Sequence, residues 1–247
     1  MMRLLPNKGQ YNDDFNWHLY PKLYKEELKG IERAHTLVVK TEDFRYVDGQ
    51  IQQVKSSAPP LHPNHQFLYE VVLGLRPESV LEVGCGGGDH LHNLHAFNPS
   101  IELHGIDRSE GQLDTLRERH PDLSATVGVV DLTDSNATLP LVDLTYSHAV
   151  LMHISETHGR FDSALRNVLR SAKRHVVMID NWTEHDFLAH IQKSVAADPN
   201  WAGATISFAT FRGAPELTAL ILSKDKVPYP ELLDYESLLQ GKELRTH

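Results

Sequence analysis

Apolar residues between positions 64 and 223 alternate between two kinds of run. Short, nearly continuous stretches at 79–83, 125–130, 142–147 and 175–179 are of strand length and predict strands buried on both faces. Between them the apolar positions switch to three-and-four spacing. Phe67, Leu68, Val71, Val72 and Leu75 share one helical face, as do Phe161, Leu165, Val168 and Leu169, and again Phe187, Leu188, Ile191 and Val195. Another apolar run ends at Ile106-Asp107, and Ser109-x-x-Gln112 directly after it has the form of a capping box opening a helix that Pro121 stops. Pro77 ends the helix that precedes the first strand. Strands alternating with helices imply a parallel, doubly wound α/β sheet with helices on both faces. The last two runs, 204–211 and 217–222, are joined by a connection too short to hold a crossover helix, so they predict an antiparallel hairpin closing the sheet.

Outside this alternation the pattern weakens. Residues 1–35 carry Leu19, Leu23 and Leu28 at loosely helical spacing and an acidic and aromatic cluster, Tyr11 to Tyr20, which predicts a helical extension and a candidate lid. Lys55-Ser-Ser-Ala-Pro-Pro60 disfavours both helix and strand and reads as a linker. The expected organisation is an extension and linker over 1–60, a main domain over 61–225 and a tail over 226–247.

The chemistry concentrates where the first strand of the alternation ends. Val80-Leu-Glu-Val-Gly84-Cys-Gly-Gly-Gly88 runs from strand into a turn with alternately spaced glycines, and Asp107 ends the next strand nineteen residues on. Glycine lets the main chain come close to a ligand, and a carboxylate at the tip of the second strand is where such a sheet holds ribose hydroxyls. The dinucleotide fingerprint fails, because its third glycine would fall at Asp89 or Leu91. Acidic residues on both sides of the turn, Glu82 and Asp89, oppose a pyrophosphate and suit a ligand carrying an ammonium or sulfonium group. The Gly-x-x-x-x-Gly-Lys-Ser/Thr loop that cradles triphosphates is absent.

At these residues the chain resembles the class I S-adenosylmethionine-dependent methyltransferases. The resemblance extends through Gly128-Val-Val-Asp131-Leu132 and through Val142-Asp-Leu-Thr-Tyr-Ser147-His148-Ala-Val-Leu-Met-His153-Ile. It implies a Rossmann-like, seven-stranded, mostly parallel sheet with a C-terminal antiparallel hairpin, and S-adenosyl-L-methionine as cofactor. The residues it assigns to that cofactor are Glu82, Gly84, Cys85, Gly86, Gly88, Asp107, Arg108, Asp131, Leu132, Ser147 and His148. Asp131 and Leu132 would flank the adenine. Methyl transfer is an in-line displacement that rests mainly on alignment, assisted by a base when the acceptor is protonated. His153, expected in the first helical turn after the fourth strand, is the first candidate base, with His148 the alternative or a wall against the methionine moiety. Asn181 and Trp182, after the fifth strand, are candidates to orient or cover an acceptor.

Composition narrows the partners. With 247 residues, 40% of them apolar, there is material for one sizeable core. A net charge of −9 and no Lys/Arg stripe argue against nucleic acid, and no apolar run approaches membrane-spanning length. One cysteine, Cys85, excludes an intrachain disulfide and suggests a reducing, cytoplasmic setting; inside the glycine turn it reads as packing rather than as a nucleophile. Among sixteen histidines, His90-x-His92-x-x-His95 resembles a metal-ligand spacing, but only His92 and His95 share a helix face, and the group reads as a surface cluster. No metal is expected. Strand four ends in Ser-His-Ala-Val rather than the Asp/Asn-Pro-Pro-aromatic motif of nucleic-acid amino methylases, and the paired-glutamate loop of protein arginine methylases is missing. The acceptor expected is a small molecule or saccharide attacked through oxygen or nitrogen; 146–154 also resembles methylases of bacterial surface sugars and secondary metabolites. A homodimer, a non-catalytic cofactor-binding protein and an aminopropyl-type transferase on the same fold stay open.

Overall fold

The computed structural model describes residues 38–154, 157–179, 187–211 and 214–232. The small strands β1 (Phe44–Val47) and β2 (Gln50–Gln53) pair antiparallel, and the main sheet holds β3 (Ser79–Val83), β4 (Glu102–Asp107), β5 (Ala125–Val129), β6 (Val142–His148), β7 (Ala172–Ile179), β8 (Thr205–Phe211) and β9 (Ala214–Ser223). Helices α1 (Pro63–Gly74), α2 (Asp89–Phe97), α3 (Glu110–Arg119), α4 (Arg160–Ser171) and α5 (Phe187–Ala197) alternate with the strands. The order across the main sheet is β5-β4-β3-β6-β7-β9-β8, with β9 antiparallel to both of its neighbours and the rest parallel. This is the doubly wound sheet with a closing hairpin that the periodicity predicts.

Strand order positions the site. The chain winds outward from β3 to β4 and β5, then returns to start β6 on the other side of β3, leaving a crevice between β3 and β6. Val83 is in register with both Ile106 and Ser147, so β3, β4 and β6 end level and their following loops converge. Burial on both faces explains the unbroken apolar runs of β3, β6 and β7; β5, expected to be buried likewise, is instead an edge strand with no fully buried residue and Val129 exposed, because only one neighbour pairs with it. Val80, Leu103, Leu144, Tyr146 and Ile221 belong to a core with Leu68 and Val72 of α1, Leu91 and Leu94 of α2, and Leu113 and Leu116 of α3. Leu81, Val83, Ile106, Met178 and Leu222 belong to a second core with Phe161, Leu165 and Val168 of α4, Ile191 of α5 and Trp201.

Several details differ from the expectations. Residues 44–53, within the stretch read as extension and linker, form a hairpin turned by Asp48 (φ 50°) and Gly49 (φ 82°). Only Phe44 and Ile51 are buried in it, too few to show a period in the sequence, and Ile51 N–H donates to Glu70 Oε1 on α1 at 2.8 Å. Ser109 precedes α3 as expected, but its side chain does not cap the helix. The chain passes from α4 into β7 at Ala172 without a loop. At the C-terminal side, Leu232 is buried in the second core, and its N–H donates to Ile206 O at 2.7 Å, so the first part of the expected tail lies along β8. The extension over 1–35, its Tyr11–Tyr20 cluster, the rest of the tail and the tip at Arg212-Gly213 lie outside the described residues.

The histidines of α2 form no surface cluster. His90 packs edge-on against His65 (ring centroids 4.6 Å apart) and His148 (5.0 Å), while His92 stacks on His120 at 4.6 Å. Helix α2 contacts α1 and β4, which buries sides of the helix that a polar sequence leaves looking exposed. Among the described residues no three His, Cys, Asp or Glu side chains are arranged to hold a metal ion.

Candidate active site

The turn after β3 is built by its glycines. Gly84, Gly86 and Gly88 have φ of 72°, 50° and 78°, a left-handed backbone that other residues adopt at a cost. At Gly84 there is also no room, since a Cβ would stand 2.5 Å from Val150 Cγ2. The N–H groups of Gly84 and Cys85 donate to Ile106 O at 2.7 and 2.9 Å, which ties the turn to the end of β4. Asp107 completes the link. Its Oδ2 accepts from Gly86 N–H at 3.0 Å and its Oδ1 from Ser109 N–H at 2.9 Å. Burial pushes the Asp107 carboxyl above its usual range, and those two N–H groups oppose the rise. Each carboxylate oxygen keeps further accepting capacity toward the crevice.

A cavity of about 340 Å³ opens in the crevice. The glycine turn forms one wall with Gly84 and Gly86, and Ile106, Asp107 and Arg108 come from the end of β4. Val130, Asp131, Leu132 and Thr133 follow β5, and His148, Ala149, Val150, His153 and Ile154 follow β6. Asp131 Oδ1 accepts from Thr133 N–H at 2.9 Å and Thr133 Oγ1 at 2.8 Å. Burial works against its charge, but the Thr133 bonds and the Arg108 and Arg160 guanidinium groups hold its carboxyl below the usual range. His153 sits in a short 3₁₀ turn, Leu151–His153, rather than in the first turn of an α-helix. Burial lowers its pKa, so its imidazole stays neutral and able to accept a proton near neutral pH. Behind His148 runs a hydrogen-bonded chain: Val39 N–H to Asn93 Oδ1 (2.8 Å), Asn93 Nδ2 to the Tyr69 hydroxyl (2.9 Å), and that hydroxyl to His90 Nδ1 (2.9 Å).

Four residues expected at the cofactor do not line the cavity: Glu82, Cys85, Gly88 and Ser147. Glu82 lies in β3 beside Gly105 and Tyr146, buried beneath the turn. Burial pushes its carboxyl well above the usual range, with nearby Tyr146 opposing and Asp89 and Asp107 adding to the rise. Its Oε2 and the Tyr146 hydroxyl are buried without an aligned hydrogen bond among the described residues. Cys85 packs against Gly105, and burial, followed by the Glu82 and Asp107 charges, pushes its thiol well up, away from nucleophilic chemistry. Asp89, read as facing a cationic ligand, instead bonds Arg119 Nη2 (2.6 Å) and His120 Nε2 (2.8 Å) on the α3 side. Asn181 and Trp182 lie outside the described residues.

Sequence reasoning missed Gln112. Placed in the first turn of α3 and nearly fully buried, it reaches the cavity, and its Oε1 has no partner among the described residues. Its type and place in Ser109-x-x-Gln112 fitted a capping box, which hid its turn toward the cavity. Ala149 at the cavity edge was also missed; its φ of 54° is uncommon for a non-glycine residue.

A family model described as a methyltransferase domain matches residues 76–232, more than half of the chain. This protein belongs to the methyltransferase family. Its cofactor is S-adenosylmethionine. Solved structures agree in fold. A TehB-like S-adenosylmethionine-dependent methyltransferase from Corynebacterium glutamicum superposes with a TM-score of 0.55 at 15% identity, covering 83% of this chain and 98% of its own. The methyltransferase domain of a bacterial CtHen1 gives 0.54 at 15% identity over 66% and 98% of the two chains. An O-methyltransferase family protein from Burkholderia thailandensis gives 0.51 at 14% identity over 66% and 56%. No curated protein matches the sequence. The residues present fit the cofactor: a close-approach glycine turn, a carboxylate at the end of β4 (Asp107) and, among the described residues, an unpartnered acceptor at Gln112 face one cavity. No described helix of this methyltransferase is long and apolar enough to cross a membrane.

Proposed function

We propose that this methyltransferase moves a methyl group from S-adenosylmethionine to an oxygen or nitrogen of a small molecule or saccharide. The observation that carries the reading is Asp107. Its carboxylate, pinned between the Gly86 and Ser109 N–H groups, stands on the cavity wall where the strand order reverses. In this reading Asp107 accepts from the ribose hydroxyls, Asp131, Leu132 and Arg108 surround the adenine, and Gln112 Oε1 accepts a further donor of the nucleoside. Gly84 and Gly86 let the main chain meet the methionine part, with His148 as its far wall. Glu82 acts from below, setting the field under the turn rather than touching the ligand.

The bound sulfonium supplies an electrophilic methyl carbon and a neutral thioether leaving group. The protein's part is alignment, for which the pinned turn and carboxylate serve, and removal of the acceptor's proton. His153 takes that proton, since burial keeps its imidazole neutral on the β6 side of the same cavity. The net charge of −9 and a lining in which, among the described residues, Arg108 is the one guanidinium support a compact acceptor over a polyanion. The O-methyltransferase assignment of the Burkholderia thailandensis neighbour is in keeping with an oxygen acceptor.

The test is calorimetric titration with S-adenosylmethionine, S-adenosylhomocysteine and NAD, followed by donor turnover against a panel of hydroxylated and amino small molecules and saccharides. Binding of the first two at micromolar Kd is expected, with none for NAD. Asp107→Ala should weaken both by roughly tenfold to a hundredfold, the loss of hydrogen bonds to a charged acceptor. His153→Ala should leave those affinities within about twofold and lower kcat by roughly a hundredfold or more. Binding without turnover of any acceptor would favour a cofactor-binding protein, and turnover of decarboxylated donor alone an aminopropyl transferase.

A further inference from the structure

From the far side of the β5 loop, one side chain reaches the peptide groups that shape the cavity wall. Asn167, in the middle of α4, has no exposed surface and lines no part of the cavity. Its Nδ2 donates to two backbone carbonyls at once, Leu132 O and Asp134 O, each at 2.7 Å. Its Oδ1 is held by Arg170 Nη2, which also donates to Ser135 O at 3.2 Å. The amide therefore cannot flip without placing its oxygen against two carbonyl oxygens.

The peptide between Leu132 and Thr133 is planar and trans, so its C=O and N–H point in opposite directions. The C=O is taken by Asn167, and the N–H donates to Asp131 Oδ1 at 2.9 Å. One rigid plane is thus gripped from both sides. Asp131 Oδ1, which also accepts from Thr133 Oγ1 at 2.8 Å, is consumed by the loop, leaving Oδ2 as the oxygen free of bonds to the loop.

We infer that Asn167 is a positioning residue for base recognition: through the Leu132–Thr133 peptide it aims Asp131 Oδ2 at the exocyclic amine of the cofactor's adenine. The inference rests on the reading above that Asp131 and Leu132 flank that adenine. It ties α4, which never touches the ligand, to selectivity for a 6-amino purine over its 6-oxo analogue, whose oxygen would face a carboxylate oxygen. Arg170 supports the same geometry by holding the amide in its donating orientation.

The experiment compares the Kd of S-adenosylhomocysteine with that of S-inosylhomocysteine, the same ligand with the amine replaced by oxygen. The probes are titrated into the wild type, Asp131→Ala, Asn167→Leu, the double variant and Arg170→Ala, with Tm measured alongside. The wild type is expected to prefer the adenine ligand by roughly tenfold or more, the worth of a hydrogen bond to a charged group. Asp131→Ala should reduce that ratio to near one. Asn167→Leu should reduce it at least threefold, with no further reduction in the Asp131→Ala background. Arg170 is exposed, so Arg170→Ala retains the fold and should lower the ratio about twofold, which keeps the inference testable even if Asn167→Leu does not fold. If Asp131→Ala leaves the ratio intact, the adenine reading itself fails. If Asp131→Ala abolishes the ratio while Asn167→Leu and Arg170→Ala weaken both ligands equally or only lower Tm, the assignment to Asn167 is overturned and its role is structural.

Discussion

Single groups in this protein are governed by how far each is removed from water and by what it then bonds. Two carboxyls packed against the same glycine turn illustrate this. Asp107 lines the cavity, and its two backbone N–H partners oppose the rise that burial gives its carboxyl, whereas Glu82, buried beneath the turn and outside the lining, has its pKa pushed well above the usual range. A folded-state carboxyl raised above its unfolded value near 4.3 contributes stability that is complete below that value and is lost as pH rises through the folded one. Glu82→Gln lacks this dependence. Between pH 4 and pH 8 the variant's Tm should gain on the wild type's by at least about 2–4 °C, the equivalent of about 1 kcal/mol in a domain of this size. A parallel pair of melting curves would contradict the assignment. His153 carries the opposite sign. Burial lowers its pKa, so the acid limb of kcat/KM should fall below the ordinary imidazole value of about 6.5, and His153→Ala should remove that limb from the pH profile.

At the scale of elements, the turn between β3 and α2 depends on what packs over it. Gly84 combines a left-handed φ of 72° with contact against Val150 in the loop after β6. Gly84→Ala incurs two separable costs: about 1–2 kcal/mol for the left-handed backbone and about 1–3 kcal/mol for overpacking. Adding Val150→Ala should recover the second part and not the first, which denaturant titration of the four-member cycle measures. If the double variant is no more stable than Gly84→Ala, the collision with Val150 is not what limits the site. The strands, the helices of the alternation and the closing hairpin were legible because burial on two faces leaves unbroken apolar runs and burial on one leaves a helical stripe. The β1–β2 hairpin was not, since only Phe44 and Ile51 turn inward, although Asp48-Gly49 is a recognised turn pair. Ser109-x-x-Gln112 misled because the pattern is defined by type and spacing, while the third partner, Asp107, takes the Ser109 N–H and Gln112 faces the cavity.

Across the whole molecule most of the buried core lies away from the cavity. Two cores sandwich one sheet, and the cavity lies at the strand ends, where Val83, Ile106 and Leu132 of the second core form part of its wall. Trp201 belongs to the core away from the cavity. It is fully buried, its Nε1 donates to Leu169 O at 3.0 Å, and Lys224 Nζ stands 4.3 Å over its ring. Trp201→Ala should cost about 3–5 kcal/mol of unfolding free energy. In the folded population, S-adenosylhomocysteine affinity should change by less than about twofold, because Trp201 lines no part of the cavity. A large change in affinity at full folding would show that the second core and the cavity are coupled.

By itself the sequence determined the class of fold, the strand that carries the glycine turn, and the acid that closes the next strand. These follow from local causes: periodicity, chain stiffness at glycine and proline, and spacing along one strand-turn-helix unit. The tertiary structure decided which of the candidates share a cavity. Asp107, Arg108, Asp131, Leu132, His148 and His153 line it with Gly84 and Gly86, while Glu82, Cys85, Gly88 and Ser147 lie outside its lining. It also decided that Asp89 serves α3, that His90 packs behind His148, and that Gln112 reaches the cavity and Asn167 the loop after β5 from helices on opposite faces. Those choices depend on long-range packing and on which of several nearby donors reaches a carboxylate first, and neither is written in the spacing of residues along the chain.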